Sequence, residues 1–182
     1  MNLKNYSSLP ELFFSKCEKN LQDSHLTFIN KISKQKETYN WIETKNKILA
    51  LSTFFKKNKL GLKDRVMLVS ENRPEWLVSD IAIMLNGSIT VPNYTTYTIK
   101  DFEYIIKDCE PRGLIVSNFD LSNKIFKAEK NINFNFKFIV HFDPQNNLKH
   151  IDNLYNFNDI QMNYQTSRVS DENLINIQRN DP

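Results

Sequence analysis

Four short, almost uninterrupted apolar runs punctuate the middle of this 182-residue chain at nearly equal intervals. They are Arg65-Val66-Met67-Leu68-Val69, Ser88-Ile89-Thr90-Val91-Pro92, Gly113-Leu114-Ile115-Val116-Ser117 and Lys137-Phe138-Ile139-Val140-His141. From Val66 to Ile89 to Leu114 to Phe138 the steps are 23, 25 and 24 residues. A step of that size holds one strand, one helix and two short loops. Strands buried on both faces read as continuous apolar runs, as these do. Helical patterns lie between them. Pro74 to Asn86 carries Leu77, Ile81, Met84 and Leu85 on one face, and Ile99 to Asp108 carries Phe102, Ile105 and Ile106. Leu121 to Lys130 carries Ile125, Phe126 and Ala128. The alternation predicts an α/β fold of parallel-sheet βαβ units with right-handed crossovers. The units do not resemble one another, so the period belongs to the fold and not to a sequence repeat.

Upstream, the same logic predicts a helix and a short hairpin ahead of the sheet. Ser8 before Leu9-Pro10-Glu11 reads as a helix start, with proline near the first helical position and an acid in the first turn. Leu26, Phe28 and Ile32 share a strand face, Ser33 to Lys36 is a polar turn, and Glu37-Thr38-Tyr39 is the returning strand. Asn40 and Glu43 have capping-box spacing for a helix whose apolar face is Trp41, Ile48, Leu51 and Phe55. Gly61 is expected to end it as a left-handed stop. After Pro144 the chain is rich in Asn and Asp, and only Asp171 to Gln178 suggests a helix.

Composition narrows the function classes. The net charge is +3, with 24 basic and 21 acidic residues interspersed, which is no nucleic-acid footprint. Hydrophobic residues at 40 % and aromatics at 12 % argue for a packed core and against disorder. The high count of Asn, Ile and Lys, with few Ala and Arg, is the mark of AT-rich codons and says nothing about binding. Only Gly61, Gly87 and Gly113 occur, so no glycine-rich phosphate loop exists in these residues. No early apolar stretch reads as a signal peptide, and no apolar run approaches the ~20 residues of a membrane span. Cys17 and Cys109 are unpatterned and read as reduced core thiols, which suits a cytoplasmic protein.

Ligands in open parallel sheets bind beyond the carboxyl ends of the strands. That rule gathers Ser70-Glu71-Asn72-Arg73, Asn93-Tyr94-Thr95-Thr96-Tyr97 and Asn118-Phe119-Asp120 on one polar, aromatic rim. Loops after strands are polar in any protein, and Asn72 or Arg73 has a competing assignment as the cap of the helix opening at Pro74. No catalytic constellation appears. His25, His141 and His150 are scattered and make no metal helix, and no Gly-x-Ser-x-Gly elbow occurs. His141 closes an apolar run and is expected to be a satisfied sheet-end histidine. Trp41 and Trp76 are expected to anchor the core.

Asp64-Arg65-Val66, followed by Ser70-Glu71-Asn72-Arg73-Pro74-Glu75-Trp76, resembles the long-chain fatty-acid–CoA ligase branch of the AMP-forming acyl-CoA synthetases. These belong to the adenylate-forming superfamily, with luciferases and peptide-synthetase adenylation domains. Ile81 to Pro92 is similar to the family's helix–glycine–strand–proline segment. Tyr104-Ile105-Ile106-Lys107-Asp108-Cys109-Glu110-Pro111 and Leu114 to Ser117 continue it in register. Thr38-Tyr39-Asn40-Trp41 stands where the family has its Thr-Tyr helix entry. The resemblance covers residues 8 to 118 well and 119 to 182 loosely. Two positions depart from it: Lys63 stands where the family usually has glycine, and Asn93-Tyr94-Thr95-Thr96 lacks a proline common after the tyrosine.

The resemblance implies that residues 1–182 are a partial N-terminal, AMP-binding domain of a ligase, ending at Asp181-Pro182 before the phosphate-binding loop. The whole-enzyme reaction it implies joins a fatty acid to ATP, giving acyl-AMP and pyrophosphate, after which the coenzyme A thiolate displaces AMP. ATP, CoA and Mg²⁺ would serve the full-length enzyme, and peripheral membrane contact through the lipid substrate is compatible with it. No catalytic and no metal-binding residue is carried over to this chain, which is expected to be inactive alone. Asn72, Arg73, Tyr94 and Thr95 are the expected substrate-side contacts. The alternative is a non-catalytic α/β binding or interaction module derived from a ligase.

Overall fold

The computed structural model describes residues 6–30, 33–143 and 151–164. The element order is α1 (Leu9–Lys19), β1 (Ser24–Ile29), β2 (Lys36–Asn40), α2 (Trp41–Lys57), β3 (Arg65–Val69), α3 (Pro74–Leu85) and β4 (Ile89–Asn93). It continues with α4 (Ile99–Cys109), β5 (Gly113–Val116), α5 (Phe119–Asn131), β6 (Phe138–His141), β7 (Leu154–Asn156) and α6 (Phe157–Tyr164). β1 and β2 form an antiparallel hairpin. The other five strands form a wholly parallel sheet in the order β4-β3-β5-β6-β7. The α/β reading of the sequence is therefore the fold observed.

Alternation along the strands separates two cores. Val66, Leu68, Ile115, Phe138 and Val140 face one side, where they pack against α1, α2, α3 and α6. Met67, Val69, Leu114, Val116 and Ile139 face the other, against α4 and α5. Helices on both faces explain why the runs are continuously apolar. β4 is one of the two edge strands, only half-buried over Ile89, Thr90 and Val91, and it carries a proline.

Local chemistry sets the boundaries. Ser8 caps α1, its hydroxyl accepting from the Glu11 N–H at 3.2 Å. The capping box at α2 forms as the spacing predicts: Asn40 Oδ1 accepts from the Glu43 N–H, and Glu43 Oε2 accepts from the Asn40 N–H, both at 2.8 Å. Thr98 and Asp101 make a second box at α4. Gly61 is not the left-handed stop of α2. That helix ends at Lys57 with Asn58 as cap, and the left-handed residues nearby are Lys59 (φ 59) and Lys63 (φ 63). Gly61 instead donates its N–H to Asp64 Oδ2 at 2.9 Å. Lys63 adopts the conformation in which a glycine meets no Cβ penalty. Gly87 does take positive φ, at 70°, where α3 turns into β4. Ile32 and the suggested helix at Asp171 to Gln178 lie outside the described residues.

Candidate functional site

In chain order the five parallel strands run 2-1-3-4-5 across the sheet, so the direction of winding reverses between β3 and β5. The crevice beyond the carboxyl ends at such a reversal is where open α/β sheets hold ligands. The loop after β3 carries Asn72 and Arg73 to this end. The loop after the neighbouring β4 carries Tyr94 and Thr95, and Ser117-Asn118 and Phe142-Asp143 follow β5 and β6.

Arg73 is the least free of these. It is the N-cap residue of α3, extended at φ −158°, with Pro74 next and no side-chain capping bond. Its Nε donates to Glu75 Oε2 at 2.8 Å and its Nη2 to Glu75 Oε1 at 3.0 Å. Its Nη1 donates to Asp143 Oδ1 at 2.8 Å. The guanidinium lies 5.2 Å from the centre of the Phe142 ring. Burial disfavours its charge, but the bonds to Glu75 and Asp143 outweigh that and raise its pKa. Beside it, Asn118 does two jobs. Its Oδ1 accepts from the Leu121 N–H at 3.0 Å and caps α5, while its Nδ2 donates to Glu71 Oε1 at 3.0 Å.

The other three expected contacts are more open. Asn72 is exposed, and Thr95 is half-buried in a turn. Tyr94 is 72 % exposed. It meets Tyr97 edge-on at 5.5 Å, and Tyr97 meets the buried Phe102 at 6.0 Å, so an aromatic ladder runs from the α4 core to the rim. The structure thus puts two of the four residues on the β3 loop and two on the β4 loop, with Arg73 alone drawn into an internal ion-pair network.

Sequence reasoning missed Asp143 and the buried, unpartnered states of Asn93 and His141. Nothing local marks Asp143 as the partner of an arginine 70 residues earlier. The last register row of the sheet reads Asn93, Val69, Val116, His141 and Asn156 from edge to edge. Residues in register on parallel strands share a face, here that of α4 and α5. Asn93 Nδ2 donates to the Val91 carbonyl at 2.8 Å, but its buried Oδ1 has no partner. His141 is 1 % exposed, and neither ring nitrogen has one. It is a sheet-end histidine but not a satisfied one. Burial lowers its pKa to about 4, against the pull of Asp143, so it is neutral at pH 7. A polar residue closing an apolar run was the one available signal for it.

Two titratable side chains meet between β2 and α2. Lys47 Nζ sits 4.8 Å above the Tyr39 ring, and burial lowers its pKa. Burial, with Glu75 adding to it, pushes the Tyr39 phenol up to about 12. Among the described residues no group of three or more His, Cys, Asp or Glu could hold a metal ion. Cys17 and Cys109 are free thiols. No helix among the described residues is long and apolar enough to cross a membrane.

Comparison with known proteins supplies what this geometry lacks. The profile of the family described as AMP-binding enzyme matches residues 13–178. The long-chain-fatty-acid–CoA ligase FadD15 of Mycobacterium tuberculosis is 38 % identical over 47 residues, 26 % of this chain and 8 % of that protein. Fatty acyl-CoA synthetase A of Dictyostelium discoideum is 32 % identical over 88 residues, 47 % of this chain and 13 % of that protein. Among solved structures, the luciferase-like enzyme of the mealworm Zophobas morio superposes with a TM-score of 0.72 at 19 % identity, covering 88 % of this chain and 36 % of that one. The anthranilate CoA ligase AuaEII, solved with anthranoyl-AMP, gives 0.73 at 20 % identity, covering 90 % of this chain and 30 % of that one. At such identities the likeness establishes the fold, an α/β unit around a parallel sheet that these enzymes share. The matched segments span 8 to 13 % of the length of these curated relatives.

Proposed function

Because this chain belongs to the family of AMP-binding enzymes, we propose that it forms the N-terminal scaffold of an ATP-dependent fatty-acid–CoA ligase. The reaction is the family's two-step one. A fatty-acid carboxylate attacks the α-phosphorus of ATP, expelling pyrophosphate and giving acyl-AMP. The CoA thiolate then attacks the acyl carbon and releases AMP. The observation that carries this reading is the family match over residues 13–178, and the resemblance of Ser70 to Trp76 to the long-chain branch supports it. Shared segments with two fatty-acid ligases favour a fatty acid as the acid.

The described residues do not themselves fit Mg²⁺ or a triphosphate. There is no metal-binding cluster among them, no glycine-rich loop in the sequence, and the cation at the crevice is already held by two carboxylates. Adenylation needs donors for phosphate and a cation at the developing charge. No chemical step is therefore assigned to these residues. Asn72, Tyr94 and Thr95 face ligand or a neighbouring lobe in this reading, and the 182 residues alone do not turn over. A cytoplasmic location, with room for peripheral membrane contact through the lipid substrate, belongs to the same reading.

ATP–pyrophosphate exchange with a long-chain fatty acid tests it, on the 182-residue chain and on the product of the reading frame extended past Pro182. Exchange by the extended protein only is the expected result. Exchange by neither would overturn the ligase reading in favour of a binding module.

A further inference from the structure

We propose that Arg73 is a positioning residue, a strap that joins the carboxyl ends of β3 and β6 across the end of β5 and so fixes the width of the crevice. The inference deepens the reading of this rim as the ligand-facing end and rests on it. Strand order places β5 between β3 and β6. A bond from the β3 loop to the segment after β6 therefore crosses two strand spacings, about 10 Å. Arg73 makes that crossing through Nη1 to Asp143 Oδ1 at 2.8 Å.

The strap is held at both ends. Glu75 grips the guanidinium by two bonds, which fixes its plane as a bidentate carboxylate does, and the Phe142 ring lies against it. At the far end, the Phe142 N–H donates to the Val116 carbonyl at 3.0 Å and the Asp143 N–H to the Ser117 carbonyl at 3.1 Å. These bonds carry the β5–β6 ladder past the last strand residues, and the strap holds that extension in place. The shorter bridge from Asn118 to Glu71 ties β5 to β3 within the same span. Three N–H groups of Arg73 are engaged and its side chain is only 14 % exposed. With Glu75 and Asp143 it forms a unit of net negative charge, which repels a phosphate or a carboxylate. Its work is geometric.

The test is nuclear magnetic resonance of the 182-residue chain with no ligand added. The Arg73 Nε–H should exchange with water about tenfold or more slowly than that of exposed Arg65. In Asp143→Asn the amides of Phe142 and Asp143 should exchange about ten- to a hundredfold faster, while those of Val66 to Val69 keep their rates. Arg73→Lys, which keeps the charge but loses the fork, should fall between. Arg73→Met combined with Asp143→Asn should be no faster than either alone, as partners in one contact require. An Arg73 Nε–H as labile as that of Arg65 in the unaltered chain would overturn the proposal. So would unchanged Phe142 and Asp143 amides in the variants, or β3 amides accelerating to the same degree. Neither nucleotide nor acid enters these readouts, so the strap and the ligase reading fail independently.

Discussion

The His141 imidazole is uncharged at pH 7 because burial lowers its pKa to about 4, with Asp143 only partly opposing. In the unfolded chain it would titrate near its ordinary value of about 6.5. Between those values the unfolded state binds the extra proton. The stability His141 contributes is therefore present above about pH 6.5 and is lost as pH falls towards 4. One group of this kind is worth on the order of 1–3 kcal/mol across that window. His25 adds to the same slope, since burial against Trp41 and Phe13 lowers its pKa too. His141→Leu should then flatten, without abolishing, the acid loss of stability in urea unfolding at pH 7.5, 6 and 5. At pH 7.5 the variant should be at least as stable, because two unpartnered buried polar atoms are gone. An unchanged pH slope would contradict the assignment. The residue scale also shows why the site was only half legible. Arg73 was identifiable as a rim residue from its place after an apolar run, but pairing with Asp143 is a property of strand order, which no local pattern encodes.

Elements were legible where local chemistry and burial agree. The four apolar runs became β3 to β6 to within a residue at each end, because strands buried on both faces have no polar positions to blur the pattern. The α2 start was legible because a capping box is a local exchange of two bonds. Asn40→Ala should lower stability by about 1 kcal/mol in thermal unfolding, and Asn40→Asp should retain most of it. An alanine variant as stable as the parent would mean that packing of Trp41 and His25, 3.9 Å apart, holds the helix start by itself. Two elements were missed. β7 is three residues long and half-buried, and α6 follows it directly in an Asn-rich stretch. Neither is long enough to display a period, and both are held by the sheet edge and by α2, through contacts such as Gln161 Nε2 to the Lys47 carbonyl at 3.2 Å. The expected stop at Gly61 failed for a related reason: Leu60 is drawn into the core, and its N–H bonds to the Phe55 carbonyl at 2.9 Å, so the chain turns at Lys59.

At the scale of the whole molecule, one glycine governs how α2 and α6 seat on the sheet. Gly113 opens β5 in register with Phe138 of β6, and the Phe138 ring lies over it. A Cβ at Gly113 would overlap that ring, and the ring has nowhere to go. Phe54 meets it edge-on at 5.8 Å and the tilted ring of Phe55 lies 5.5 Å from it, both from α2. Phe54 in turn touches Tyr155 of β7 and Tyr164 of α6, so displacement of Phe138 is passed to α2, β7 and α6. The glycine is thus a packing requirement of the fold and is independent of the rim chemistry. Gly113→Ala should destabilise the chain by about 1–3 kcal/mol, the usual cost of overfilling a packed core. Phe138→Leu placed in the alanine background should recover part of the loss, because it frees the volume the methyl needs. Urea unfolding of the parent, the two single variants and the double closes that cycle. A Gly113→Ala chain as stable as the parent, or a double variant that simply sums the two losses, would show that the sheet and its α2 layer adjust to each other more freely than this contact allows.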